Sequence, residues 1–203
     1  VNNFMWDQRY SEPEFAYGQQ PNDFLVACLN AIPANSKVLC LAEGQGRNAV
    51  YLAQQGHEVT AVDQSAVGLQ RAEQLAVEKG VSIHTVVADL AAFDLGENQW
   101  DAIVSIAAHL PPAVREKLHQ RVKTALKPSG VFILEAYSPA HLALPGIGGP
   151  PPHQAELLMS LDLLHQELAG LNFEIAHEIE RHLEEGQYHC GLSGVVQVLA
   201  RKP

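Results

Sequence analysis

Cysteine is scarce in this 203-residue chain: Cys28, Cys40 and Cys190 are the only three, and no two form a C-x-x-C pair. So odd and unpatterned a set makes neither a disulfide framework nor a zinc site, and it fits a reducing, cytoplasmic setting. Basic residues are also few, thirteen Lys and Arg against twenty-three Asp and Glu, for a formal net charge of −10 with His neutral. No Lys/Arg cluster exceeds two residues. Because counterion release at a basic face supplies most nucleic-acid affinity, no nucleic-acid partner is expected. Long apolar runs are missing as well, none approaching the about 18 residues of a membrane span. The start, Val1-Asn2-Asn3-Phe4-Met5-Trp6-Asp7, has no basic or apolar leader region, so neither membrane nor secretion is expected. What is present is 47% apolar residues in a length suited to one domain.

Strand-like and helix-like segments alternate through the middle of the chain. Residues 37–42 form a short apolar run of the kind a buried parallel strand needs, and residues 48–55, stopped by Gly56, follow as a helix. Residues 58–62 make a second strand, and Ser65 caps a helix with Leu69, Ala72 and Leu75 at helical spacing up to Lys79-Gly80. Third and fourth strands are expected over 82–88 and 100–106. Pro111 and Pro112 open a helix carrying Val114, Leu118, Val122 and Ala125, which Lys127-Pro128-Ser129-Gly130 stops before a fifth strand over 131–136. Residues 138–153 hold five of the twelve prolines and exclude a regular helix or inner strand. Leu157, Leu161, Leu164, Leu168 and Leu171 then mark an amphipathic helix. Two strands, 173–183 and 190–199, close the chain as an antiparallel hairpin through Glu184-Glu185-Gly186-Gln187. The fold class expected is α/β, an open, mostly parallel sheet with helices on both faces, whose ligands bind beyond the strands' carboxyl ends.

The most informative stretch is Val38-Leu39-Cys40-Leu41-Ala42-Glu43-Gly44-Gln45-Gly46-Arg47-Asn48-Ala49. A strand runs into Gly-x-Gly and directly into a helix, so the backbone can approach a ligand and free N–H groups can meet its negative end. Asp63 ends the second strand 19 residues after Gly44, placed to accept hydrogen bonds from two ribose hydroxyls. Two adenosine ligands satisfy this pattern, because Gly44-x-Gly46-x-x-Ala49 also fits the dinucleotide fingerprint of NAD(P)-dependent oxidoreductases.

Five parallel strands followed by a terminal hairpin, with Asp89-Leu90 after the third strand and Lys127-Pro128-Ser129-Gly130 before the fifth, resemble the class I S-adenosyl-L-methionine-dependent methyltransferases. Within them the chain is similar to the tellurite-resistance-protein-B-like and thiopurine methyltransferase group, through its variant first motif, the opening Trp6-Asp7-x-Arg9-Tyr10 and Gly148-Gly149-Pro150. The resemblance implies a three-layer Rossmann-like fold with a seven-stranded sheet and S-adenosyl-L-methionine as cofactor, leaving S-adenosyl-L-homocysteine as product. The implied cofactor residues are Glu43, Gly44, Gly46, Arg47, Asn48, Asp63, Gln64, Asp89, Leu90 and Ile106. Arg47 would pair with the methionyl carboxylate, Asp63 hold the ribose, and Asp89 the adenine amino group, with Leu90 packing the ring. Two positions depart from the family: Cys40 stands where its motif has an acid and Ala42 where it has a glycine, and Glu43 is expected to supply the acid instead.

Outside these motifs, His109 follows the fourth strand on the ligand-facing edge, where a neutral imidazole can take a proton from a nucleophile or simply wall the site. Residues 1–35, with six of the thirteen aromatics, form an N-terminal cap segment that either anchors to the core or covers the cofactor; Arg9, Tyr10 and Tyr17 are its candidates for a lid. Residues 36–137 form the expected cofactor-binding core. Residues 138–203 supply a substrate loop, a helix and the hairpin, and Tyr137 at the loop's entrance joins Arg9, Tyr10 and Tyr17 as a candidate substrate or lid residue. His182, His189 and Cys190 match no zinc spacing and are expected at the surface or edge, as is the pair Glu184-Glu185, and no metal is expected. The expected activity is methyl transfer to a small-molecule acceptor by a monomer or homodimer. The lack of a conspicuous base leans toward a soft nucleophile, a thiol or a tellurium or selenium oxyanion. An NAD(P)-dependent oxidoreductase and a non-catalytic S-adenosyl-L-methionine-binding protein remain the alternatives.

Overall fold

The computed structural model describes residues 3–203. Its elements are α1 (Asn3–Tyr10), α2 (Asp23–Ala27), β1 (Lys37–Leu41), α3 (Arg47–Gln54), β2 (Glu58–Asp63), α4 (Ala66–Glu78), β3 (His84–Val87), β4 (Trp100–Ile106), α5 (Pro112–Ala125), β5 (Leu126–Tyr137), α6 (Leu161–Glu167), β6 (Asn172–Glu185) and β7 (His189–Arg201). The seven strands form one sheet in the order β3-β2-β1-β4-β5-β7-β6. β1 to β5 pair in parallel, and β7 inserts antiparallel between β5 and β6.

The period of two in the strands sorts the core into two layers. Leu39 and Leu41 of β1, Ile103 of β4, and Phe132 and Leu134 of β5 pack with Leu118 and Val122 of α5 and Leu164 of α6. Their neighbours Val38, Cys40, Val104, Val131 and Ile133 face the other way, against Leu25 of α2, Leu52 of α3 and Leu69 of α4. The strand order reverses between β1 and β4, so the carboxyl ends of β1, β2, β4 and β5 open onto one edge.

Local structure departs from the sequence pattern in three places. Leu126 already pairs with Trp100, so β5 starts before the Lys127-Pro128-Ser129-Gly130 stop, which becomes an irregularity inside the strand. The leucine helix is shorter than its spacing implies. Met159 N–H donates to Tyr137 O (3.0 Å) and draws residues 158–160 into extended backbone, Ser160 caps from its side chain, and α-helix runs only over α6, with Leu157 left at the end of a separate 3-10 helix, Pro152–Leu157. The hairpin turns later than expected, at Gly186-Gln187-Tyr188, with Gly186 at φ 68°. β6 therefore keeps its alternation through Leu183 and Glu185, both buried, while His182 and Glu184 face solvent.

Candidate functional site

β1 leaves the sheet through three left-handed residues, Ala42 (φ 51°), Gly44 (57°) and Gly46 (86°), and enters α3 at Arg47. Ala42 thus adopts the conformation that its expected glycine would take without strain. Asp63, at the tip of β2, accepts the Gly44 N–H on Oδ2 and the Ser65 N–H on Oδ1, each at 2.8 Å. Burial raises its carboxyl above the usual range, against those N–H bonds and one from Gln64. Glu43 turns toward α3 and accepts the Ala49 N–H at 2.6 Å. Burial nevertheless pushes its carboxyl up to about 7.

The N-terminal segment lies across this loop. Tyr10, 4% exposed, sits in a slot floored by two glycines: a Cβ at Gly44 would meet its hydroxyl at 2.5 Å, and one at Gly68 its ring at 2.8 Å. Trp6 stacks on Tyr10 with ring centroids 5.8 Å apart, and the Ser65 hydroxyl donates to Asp7 at 2.5 Å. Arg9 donates to the Tyr17 hydroxyl at 2.9 Å and covers the Tyr188 ring. The Asn22 N–H donates to the Asn48 side chain at 2.8 Å. Of the lid candidates, Tyr10 is packed onto the predicted cofactor loop, while Arg9 and Tyr17 pair with each other and pack against Tyr188 and His189 of the terminal hairpin.

Two expectations are corrected at the far side of that loop. Glu185 is not a solvated turn residue: it is buried at the end of β6 and takes the Arg47 guanidinium at 2.8 Å, the group expected to meet a methionyl carboxylate. His189 is not a surface residue either; it is buried at the start of β7 with Nδ1 3.6 Å from Glu185 Oε2. Both follow from the later turn, which extends the inward-facing side of each strand by one residue pair. Asn22 joins the cluster by donating to both Glu135 (2.8 Å) and Glu185 (2.7 Å), and Arg181 pairs with Glu135 at 2.7 Å. Despite its burial, Glu185 is held well below the usual carboxylate range by the adjoining His189 and by Arg47. Asn22, Glu135 and Arg181 carried no weight in the sequence. The one available signal was Glu135, an acid inside the apolar run Val131-Phe132-Ile133-Leu134-Glu135-Ala136.

His109 has both ring nitrogens engaged: Nδ1–H donates to Leu157 O (3.0 Å) and Nε2 accepts the Tyr137 N–H (3.3 Å). Burial lowers it to about 4. In this conformation it clamps the loop to the end of β5 and has no free nitrogen to accept a proton. Asp89 is exposed and accepts the Ala91 N–H at 2.9 Å, and Leu90 belongs to the core, with its carbonyl held by Arg121. Ile106, Glu135, Tyr137, Glu185 and His189 line a small pocket beyond β4 and β5.

Comparison with known proteins finds methyltransferases. The family model described as a methyltransferase domain matches residues 38–130, from β1 into β5. The chain is 26% identical over 149 residues to the 2-heptyl-1-hydroxyquinolin-4(1H)-one methyltransferase of Mycobacteroides abscessus, covering 72% of this chain and 65% of that protein. It is 33% identical over 109 residues to the tRNA 5-carboxymethoxyuridine methyltransferase of Escherichia coli, covering 52% and 42%. The chain thus spans about two thirds or less of the length of these relatives. Among solved structures, TehB from Haemophilus influenzae superimposes with a TM-score of 0.72 at 23% identity, over 89% of this chain and 62% of that one. NodS, an N-methyltransferase from Bradyrhizobium japonicum bound to S-adenosyl-L-homocysteine, gives 0.73 at 14% identity over 100% of both. The fold is the Rossmann-like class I methyltransferase fold, with its antiparallel strands at the carboxyl terminus.

Proposed function

We propose that the chain is an S-adenosyl-L-methionine-dependent methyltransferase acting on a small-molecule acceptor. Residues 36–137 serve as the cofactor-binding core, and the flanking segments serve as cap and acceptor walls. The observation that carries this is the tie between Asp63 and Gly44 at the switch point of a sheet ordered β3-β2-β1-β4-β5-β7-β6. The residues fit such a cofactor: the slot over Gly44 and Gly68 already accommodates an aromatic ring, and each Asp63 oxygen keeps acceptor capacity beyond its backbone bond.

When bound, S-adenosyl-L-methionine supplies a methyl group already activated on a sulfonium. The chain's own task is then to hold, align and keep water out. Asp63 would accept from the ribose hydroxyls, Asp89 from the adenine amino group, and Glu43 and Asp63 would offset the ligand's positive charge. Gly44, Gly46, Arg47 and Asn48 shape the loop beneath the methionyl end, with Gln64, Leu90 and Ile106 as neighbouring walls. The segment bearing Arg9, Tyr10 and Tyr17 closes the site from outside. The resemblance to the tellurite-resistance group favours soft acceptors, and the hydroxyquinolone-methylating relative favours a small aromatic one.

Calorimetry with S-adenosyl-L-methionine, S-adenosyl-L-homocysteine and NAD(P) tests this directly. Micromolar binding of the first two is expected, with a loss of about a hundredfold on Asp63→Ala as two charge-assisted hydrogen bonds go. NAD(P) binding without either sulfur nucleoside overturns the proposal in favour of the oxidoreductase. Binding with no S-adenosyl-L-homocysteine released across a broad acceptor panel leaves a non-catalytic binding protein.

A further inference from the structure

Three buried side-chain polar atoms among the described residues lack a hydrogen-bond partner: Tyr137 Oη, Ser138 Oγ and His141 Nδ1. They fall within five consecutive residues where β5 leaves the sheet. Buried polar groups are otherwise satisfied almost without exception, and of these three only the Tyr137 hydroxyl belongs to a residue lining a pocket, where another group can bond it. Tyr137 is 2% exposed and lines the small pocket beyond β4 and β5, which has room for a single water-sized group.

Resting on the methyltransferase reading above, we infer that this pocket receives the reacting hydroxyl of an uncharged acceptor, and that His189 is its proton acceptor. Glu185 faces His189 Nδ1 at 3.6 Å, which favours the proton on Nδ1 and leaves the lone pair on Nε2. The ring edge next to Nε2 converges with the Tyr137 hydroxyl. A Cβ at Gly148 would collide with that hydroxyl and stand 2.8 Å from His189 Cδ2, so only glycine leaves the space open. The groups facing His189 come from every element around it: Glu185 of β6, Arg47 of α3, Tyr137 of β5, and Arg9 and Tyr17 of the N-terminal segment. Against the pull of Glu185, burial keeps His189 below its ordinary value, so it is neutral and able to take a proton at pH 7.

The charge pattern selects the acceptor class. Arg47 and Arg181 are taken by Glu185 and Glu135, so an oxyanion entering here meets two carboxylates without an unpaired cation among the lining residues. A thiol bonds the Tyr137 hydroxyl only weakly. A hydroxyl offers one donor and two acceptor positions, which matches a phenol on one side and an imidazole lone pair on the other. In the step, the acceptor's O–H proton passes to His189 Nε2 as the oxygen's electron pair forms the bond to the methyl carbon. The carbon–sulfur pair stays on sulfur as a neutral thioether, and the imidazolium returns its proton to water.

The test uses the whole chain with phenol, benzenethiol and selenite as probes. ¹⁵N spectra of His189 in the free protein are expected to show an Nδ1–H tautomer and to shift with phenol but not with selenite. With S-adenosyl-L-methionine present, phenol should be methylated in preference to the other two. H189Q should lower that turnover by about 10²–10⁴-fold and abolish its acidic limb, and Y137F should raise KM more than it lowers kcat. S-adenosyl-L-homocysteine affinity should stay within about twofold in both variants, which also shows that they fold. A His189 signal unmoved by phenol, preference for selenite or benzenethiol, or a pH profile unchanged in H189Q overturns the inference. Failure of the wild-type chain to bind S-adenosyl-L-homocysteine instead overturns the methyltransferase reading beneath it.

Discussion

Glu43 shows how one buried carboxyl ties the loop after β1 to pH. Its folded value near 7 lies above that of an unfolded glutamate, so between about pH 4.5 and 7 the folded chain holds a proton that the unfolded chain has released. Stability therefore falls as pH rises through that window, by on the order of 3 kcal/mol once the group is fully ionised. Glu43→Gln keeps an acceptor for the Ala49 N–H and removes the ionisation. Its melting temperature should match wild type near pH 4.5 and exceed it by several degrees at pH 8. An equal difference at both pH values excludes the buried-carboxyl account. His109 works with the opposite sign: lowered to about 4, it costs stability as pH falls from about 6.5 toward 4. His109→Ala should cost about 2–3 kcal/mol, since two backbone groups lose their partner, and should flatten that acid limb in a denaturant titration. The sequence marked Asp63 and His109 from their positions at strand ends, and Glu43 through the resemblance's displaced acid. It gave no hint of what each bonds, because Leu157 and Tyr137 reach His109 only through tertiary packing.

At the scale of elements, α5 and α6 are joined by more than their leucines. Glu167 of α6 accepts from Arg115 Nε (3.1 Å) and from His119 (2.6 Å), and both α5 partners are almost fully buried. Glu167 is held below the usual range despite its burial, by His119 and then Arg115. Glu167→Ala leaves a buried guanidinium without its carboxylate and should cost about 3–5 kcal/mol in urea unfolding. A cost under about 1 kcal/mol means solvent reaches the pair. The helices themselves were legible from Leu118, Val122, Leu164 and Leu168, while the clamp was not, since no motif or spacing singles out Arg115, His119 or Glu167. The same limit explains the hairpin. Period-two alternation identified both strands, but with Gly186 as the turn signal, Glu184 and Glu185 looked like loop residues. Only the register shows that Glu185 continues the face of Leu183 and brings His189 in beside it. Polar residues on an inward face break the hydrophobic pattern, so pattern-reading ends the strand just where the site begins.

Across the whole molecule, the acidic balance and the sheet order together fix where ligand binding should be felt. Part of the −10 charge is concentrated at the β1 and β2 tips in Glu43 and Asp63, where burial opposes their ionisation and a cationic ligand would favour it. A nucleoside that took the slot over Gly44 and Gly68 would have to displace Tyr10, so under the proposed function binding is expected to couple to the seating of α1. The five inner strands β2, β1, β4, β5 and β7 are paired on both edges and should exchange their amides slowest, with β3 and α1 among the fastest. Adding S-adenosyl-L-homocysteine should slow exchange at residues 43–48 and 63–68 and alter α1 in the same titration, leaving β4 and β5 unchanged. Protection of the Gly44 loop with no change in α1 would show that Tyr10 does not share the ligand's space. A change confined to α1 would show that the ligand binds the cap alone, away from Asp63.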